Sequence, residues 1–176
     1  MKKTERAYEP HLTIRELAVL PGGQWVSRLA GWSLIQINQG TGYYLQSQLN
    51  QELSTGSVLL VAENMQGSIR ASQLAGLSLC LFNVIPSRLT GLISLSEQDF
   101  LEAASKKEVT PQIFPPGSAI AMRLDELYAS GNRSGLLFRL NLLQALFETF
   151  GDGLQQTVSG REVSDAQDRL RVFLKE

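Results

Sequence analysis

The sequence predicts a mainly β domain, an antiparallel barrel or sandwich, followed by a pair of helices. Three observations carry this reading. From Trp32 to Ala71, short apolar segments rich in Val, Ile, Leu and Tyr are separated by Gly40-Thr41-Gly42, Leu49-Asn50 and Ser54-Thr55-Gly56, the punctuation of antiparallel strands. Three prolines, Pro111, Pro115 and Pro116, then mark a passage from strands to helices. Beyond them Leu136, Leu140, Leu143, Leu146, Phe147 and Phe150 fall in one wide apolar arc at roughly 100° per residue.

At 176 residues the chain fits one domain, or one domain with a short helical extension, and is long enough to bury a core without staples. The single cysteine, Cys80, allows no internal disulfide. A net charge of -1 gives this polypeptide no electrostatic grip on nucleic acid, because neutralising phosphates takes a basic patch. The opening MKKTERAYEP is not followed by the apolar run of a signal peptide, and no stretch is apolar enough to span a bilayer as a helix. The expected location is cytoplasmic, with no membrane partner.

In chain order, residues 1–20 read as a polar arm and a first strand, with strand character from Leu12 to Leu20 and a stop at Pro21-Gly22-Gly23. His11 is the only histidine, which leaves no histidine cluster for a metal site, and it reads as a surface or capping residue. Further strands are expected over Gln24–Leu29, Trp32–Asn38, Tyr43–Gln48 and Val58–Val61, the last apolar enough to be buried on both faces. Trp25 and Trp32 read as packing residues. Gly40-Thr41-Gly42 resembles the start of a dinucleotide fingerprint, but no helix follows it and the third glycine is missing. It reads as a turn.

Gln66–Ser72 and Leu77–Val84 suggest a hairpin through Leu74-Ala75-Gly76. In its second strand Leu77, Leu79 and Leu81 share one face, and Ser78, Cys80 and Phe82 share the other. Cys80 has no basic neighbour in sequence and reads as a buried thiol. Ser96, with Asp99 three residues on, is a candidate cap for a short helix, and Lys106-Lys107-Glu108 reads as a solvated loop. The strand region with this helix spans 21–117.

Residues 118–150 form a helical hairpin. Ser118 caps a first helix to about Ser130 with Ile120, Leu124 and Leu127 on one face, Gly131-Asn132 stops it, and Ser134 opens a second helix closed by Gly151. On that second helix Leu137, Asn141, Gln144 and Glu148 form a mostly polar strip. It suits either solvent or pairing with a second copy, where a buried Asn fixes register. Residues 151–163 have linker composition, and 164–176 open a short helix with a capping box from Ser164 to Gln167.

This order resembles the N-terminal sensing and dimerisation half of AraC-type transcription regulators. The carriers are Gly56-Ser57-Val58-Leu59-Leu60-Val61, similar to the family's Gly-Asp-hydrophobic run, and the stretch from Ser134 to Leu143, similar to its dimerisation helix. Asp168-Arg169-Leu170 is similar to the opening of the family's DNA-binding half. The resemblance implies a cupin-like (double-stranded β-helix, or jelly-roll) barrel followed by an α-helical hairpin. It also implies an effector in the barrel, a homodimer through the helices, and DNA contact only through a helix-turn-helix domain absent from this chain.

Two departures from the family pattern matter. Where the general cupin motif calls for proline, glycine, histidine and asparagine, this chain has Ala62, Asn64, Gly67 and Ala71, so neither a metal site nor a cofactor is expected. Laid against a sugar sensor of the family, the contacting positions fall on Leu12, Val26, Ile69, Leu79 and Leu81, all apolar. A sugar hydroxyl left unpaired there costs about 1–3 kcal/mol, so the expected effector is apolar or amphipathic, unless the barrel is filled by its own side chains. The expectation is a non-catalytic regulatory domain. The alternative is a stand-alone metal-free cupin-like binding protein or enzyme, for which Glu52, Glu63 and Arg70 are the acid–base candidates.

Overall fold

The structure, a computed structural model, describes residues 11–46, 49–65, 67–106, 111–130 and 135–150. The arm before His11, the linker over 151–163 and the helix expected over 164–176 lie outside the described residues, as do Gly131, Asn132 and Ser134.

Among the described residues nine strands form two antiparallel sheets. They are β1 (Thr13–Val19), β2 (Gln24–Val26), β3 (Trp32–Gln39), β4 (Thr41–Gln46), β5 (Leu49–Ser54), β6 (Val58–Ala62), β7 (Ser68–Ala71), β8 (Leu77–Val84) and β9 (Gln112–Phe114). Sheet A runs β1-β8-β3-β6-β9 and sheet B runs β2-β7-β4-β5. The chain passes repeatedly between the sheets, which makes a cupin-like jelly-roll barrel. Helices α1 (Leu95–Lys106), α2 (Ala119–Ala129) and α3 (Leu136–Glu148) follow, α1 lying between β8 and β9.

The two faces of sheet A have different partners. By register Ile35 and Ile37 share a face with Leu59, Leu79 and Leu81, and this face lines the barrel interior. Trp32, Leu34 and Gln36 point the other way, toward the helices. The indole N–H of Trp32 donates to the Leu101 carbonyl of α1 at 3.0 Å, and its ring meets Phe150, just past α3, edge-on at 4.8 Å. Gln36 reaches Asp125 of α2. Every residue of β6 is buried, as its unbroken apolar run predicts.

Several local expectations change. Leu74-Ala75-Gly76 does not close a hairpin: β7 pairs with β2 and β4, whereas β8 pairs with β1 and β3, so this turn carries the chain between sheets. Leu49-Asn50 lies inside β5, paired with β4 at the edge of sheet B, where one face stays solvated and a polar strand is tolerated. β9 lies among the prolines. It is the edge strand of sheet A, where Pro111 forfeits no ladder bond. The cap of α1 is Ser94 rather than Ser96. Ser94 and Glu97 bond reciprocally, the Glu97 carboxylate accepting from the Ser94 backbone N–H at 2.7 Å and the Glu97 N–H donating to Ser94 Oγ at 3.3 Å, a capping box. At the β3–β4 turn only the first glycine of Gly40-Thr41-Gly42 needs its freedom, with φ +96°.

His11 is more than a surface residue. Its Nδ1 accepts the Ile85 backbone N–H at 3.0 Å, and the next residue, Leu12, donates its N–H to the Asn83 carbonyl at 2.8 Å while held at φ +51°. The two contacts clamp the start of β1 to the end of β8 against the strain of a left-handed leucine. Burial, and after it the charge of Arg88, hold the His11 imidazole below its usual pKa. The unfolded chain therefore binds this proton more readily than the folded one. Stability is expected to be full above about pH 6.5, the unperturbed histidine value, and to fall as the pH drops below it toward the lowered folded value. Urea titrations between pH 8 and 5 check this, and His11→Gln is expected to remove that component of the slope.

Candidate functional site

The barrel interior is a layered apolar core. Ile69, Leu79 and Leu81, three of the five candidate effector positions, meet there at 0 to 1% exposure, together with Ile35, Leu53 and Leu59. Leu12 is half-buried at the rim and packs against the core. Val26 lies elsewhere: it pairs with Ser68, one position out of step with Trp25–Ile69, and is 47% exposed on the outer face of sheet B. The inward residue of β2 is Trp25.

Two polar features interrupt this core. Ser33 Oγ donates to Asn83 Oδ1 at 2.9 Å, both residues being 1% exposed, so that pair is internally satisfied. Tyr44 is also 1% exposed, but its hydroxyl has no hydrogen-bond partner, and burial raises its pKa. The phenol fits only because Gly67 faces it, since a Cβ at that position would lie 2.0 Å from the hydroxyl oxygen. An unpaired O–H in an apolar interior is a donor waiting for an acceptor, whether a ligand carboxylate, carbonyl or water. The sequence hint was strand parity, since Tyr44 and Gly42 alternate with the outward Tyr43.

The helical hairpin holds the second group of candidates. α2 is capped as expected, Ser118 Oγ accepting the Ala121 N–H at 3.4 Å. α3 is rotated from its expected orientation. The buried residues are Phe138, Leu142, Leu143, Ala145 and Leu146, whereas Leu136 and Leu140, expected inside, are 65% and 38% exposed. Phe138 packs against Tyr128 of α2 with ring centroids 6.2 Å apart. Leu137 is 72% exposed, Asn141 is half-buried, and Gln144 and Glu148 are exposed. Glu148 is already engaged, accepting from Arg123 of α2 and from Gln144. The outward face of α3 is therefore more apolar than the strip drawn from sequence, with Leu136, Leu137 and Leu140 standing beside Asn141 and Gln144.

The acid–base candidates do not converge. Glu52 and Arg70 are exposed and flank Tyr43 on the outer face of sheet B, and Glu63 accepts the Gly31 N–H at 2.8 Å outside the barrel. Among the described residues no three His, Cys, Asp or Glu side chains are grouped to hold a metal ion, and no helix is long and apolar enough to cross a membrane. Cavities do occur around α2. One of about 710 Å³ lies along the α2–α3 groove and includes Phe114, Arg123 and Asn141. A second, of about 550 Å³, separates α2 from β3.

No protein-family model and no curated protein matches the sequence. Solved structures do share the fold. ToxT from Vibrio cholerae O395 superposes with a TM-score of 0.53 at 9% identity, over 80% of this chain and 54% of that one. ToxT from Vibrio cholerae in a 1.65 Å crystal form gives 0.53 at 10% identity, over 82% and 56%. Wild-type ToxT of strain SCE256 with an unsaturated fatty acid bound gives 0.52 at 10% identity, over 80% and 55%. This chain thus spans about half the length of the structures it matches.

Tyr44→Phe removes a buried hydroxyl with no partner and is expected to leave stability unchanged or raise it by about 1 kcal/mol. Gly67→Ala, which drives a methyl into that hydroxyl, is expected to cost about 1–3 kcal/mol. Chemical denaturation of the two variants and of the double variant checks both, and the double variant should recover most of the loss.

Proposed function

We propose that this chain is the effector-sensing and dimerisation part of an AraC-type transcription regulator and has no catalytic activity of its own. The observation that carries the reading is the outward face of α3. Leu136, Leu137 and Leu140 are exposed side by side on the helix whose sequence resembles the family's dimerisation helix. Three exposed leucines beside a half-buried Asn141 suit an antiparallel or crossed pairing with a second copy, in which the Asn sets register. The shared fold with ToxT supports the reading, as does the dispersal of Glu52, Glu63 and Arg70 over outer surfaces. DNA contact belongs to a helix-turn-helix part outside this chain, and the location is cytoplasmic.

The effector in this reading is an amphipathic acid. Its apolar body would take space among Ile69, Leu79 and Leu81, and its acceptor head would pair with the Tyr44 hydroxyl. A ToxT structure of the same fold holds an unsaturated fatty acid, which supports that class. Entry requires the core to repack, so a ligand that binds must change the barrel, and through Trp32 and Gln36 the helices packed on it.

Light scattering on the 176-residue protein is expected to give a dimer that Leu137→Arg converts to a folded monomer with an unchanged circular dichroism spectrum. A monomeric parent protein, or a dimer indifferent to Leu137→Arg and Leu140→Arg, would remove the support α3 gives. A long-chain unsaturated fatty acid is expected to raise the melting temperature of the parent protein and to raise that of Tyr44→Phe less.

A further inference from the structure

The cleft between the barrel and α2 has the construction of a second ligand site, separate from the barrel interior. By register Gln36 sits on the helix-facing side of sheet A between Cys80 of β8 and Val58 of β6. It is 2% exposed, an unusual place for a glutamine among leucines and valines. Its Nε2 donates to Asp125 Oδ1 of α2 at 2.7 Å. A carboxylate can only accept, so that contact fixes the amide orientation and leaves Gln36 Oε1 as the free end. Oε1 has no hydrogen-bond partner. Gln36 and Asp125 wall the cleft of about 550 Å³ together with Asn38, Thr55, Cys80 and Tyr128.

The cleft selects for a particular chemistry. Among the described residues that wall it, Asp125 is the one charged side chain and none is Lys or Arg. The group left unsatisfied is an acceptor. A ligand matched to both features carries N–H donors and a positive charge, with N–H groups directed at Gln36 Oε1 and the charge held against Asp125. The volume lies within the range of small-molecule sites and far exceeds the share of one water. We propose that this cleft binds a small organic cation with N–H donors, a primary ammonium or guanidinium compound.

Such a cation joins β3 of the barrel to α2 of the hairpin by adding to the Gln36–Asp125 contact that already links them. The inference stands on the geometry of this cleft and does not depend on the regulatory reading or on a dimer. It is tested with the 176-residue protein by nuclear magnetic resonance titration with butylammonium and butylguanidinium chloride, using 1-butanol as the neutral control. Saturable shifts are expected in the Gln36 side-chain amide and in the backbone amides of Thr55 and Asp125 for the two cations and not for butanol.

Asp125→Asn keeps an acceptor for Gln36 Nε2 while removing the charge, and Asp125 is exposed, so this variant is expected to fold normally. It should weaken cation binding at least tenfold. Gln36→Met, which removes Oε1, should do the same. The proposal is overturned if neither cation saturates, if butanol shifts the same resonances equally, or if Asp125→Asn leaves the cation affinity unchanged.

Discussion

The constraint on which the rest of this structure depends is that the centre of sheet A, strands β3, β6 and β8, is buried on both faces. From Trp32 to Ile37 no residue of β3 is more than 3% exposed. Ile35 and Ile37 fill the barrel, while Trp32 and Leu34 require cover from outside. Burial of each such side chain contributes about 1.5–3 kcal/mol, and that contribution exists only if the helices lie on the outer face. Trp32 also carries an N–H that must be satisfied away from water, and the Leu101 carbonyl of α1 supplies the acceptor. The helices are in this sense the third layer of the barrel rather than an appendage to it.

Sheet B is built on the opposite principle. Tyr43, Asn50, Glu52 and Arg70 face solvent on its outer side, and only alternate residues such as Tyr44, Leu53 and Ile69 turn inward. The asymmetry sorts the chemistry of the molecule. Among the described residues Glu52 and Arg70 lie on the wet face of sheet B, and the barrel interior holds the unpaired Tyr44 phenol. The polar anomaly of sheet A, Gln36, sits where barrel and hairpin meet. A molecule that enters the barrel and one that binds at Gln36 would both act on the packing between sheet A and the helices.

Much of this architecture was legible in the sequence, and the failures have physical causes. The inward parity of Leu77, Leu79 and Leu81, the doubly buried β6 and the Ser118 cap follow from local pattern, because period and capping are local properties. The destination of the turn at Leu74-Ala75-Gly76 is not local: the same residues serve a hairpin or a crossing between sheets, and pairing with β1, β2, β3 and β4 decides it. β5, with only Leu49 and Leu53 as apolar residues, is a strand because β4 supplies its partner. The orientation of α3 was ambiguous because leucines occupy most of its circumference, and the packing that sets Phe138 against Tyr128 buries Phe138 and Leu142 rather than Leu136 and Leu140. Tyr44 and Gln36 were invisible as unpaired polar groups, since burial without a partner is a tertiary property. Of the five effector positions inferred by resemblance, the odd one, Val26, differs by the single-residue step that reverses a strand's faces.

The central claim, that barrel and helical hairpin are one cooperative unit joined across sheet A, is tested most directly by native-state hydrogen exchange of the parent protein in low denaturant. The account predicts that the amides of Ile35 in β3 and of Leu142 and Leu146 in α3 exchange through the same opening, with matching free energies and matching dependence on denaturant. Exchange of the α3 amides at a much lower free energy, with β3 still protected at the global value, would contradict it. In that case the helices would be an independently opening layer, and sheet A would owe its stability to the barrel alone.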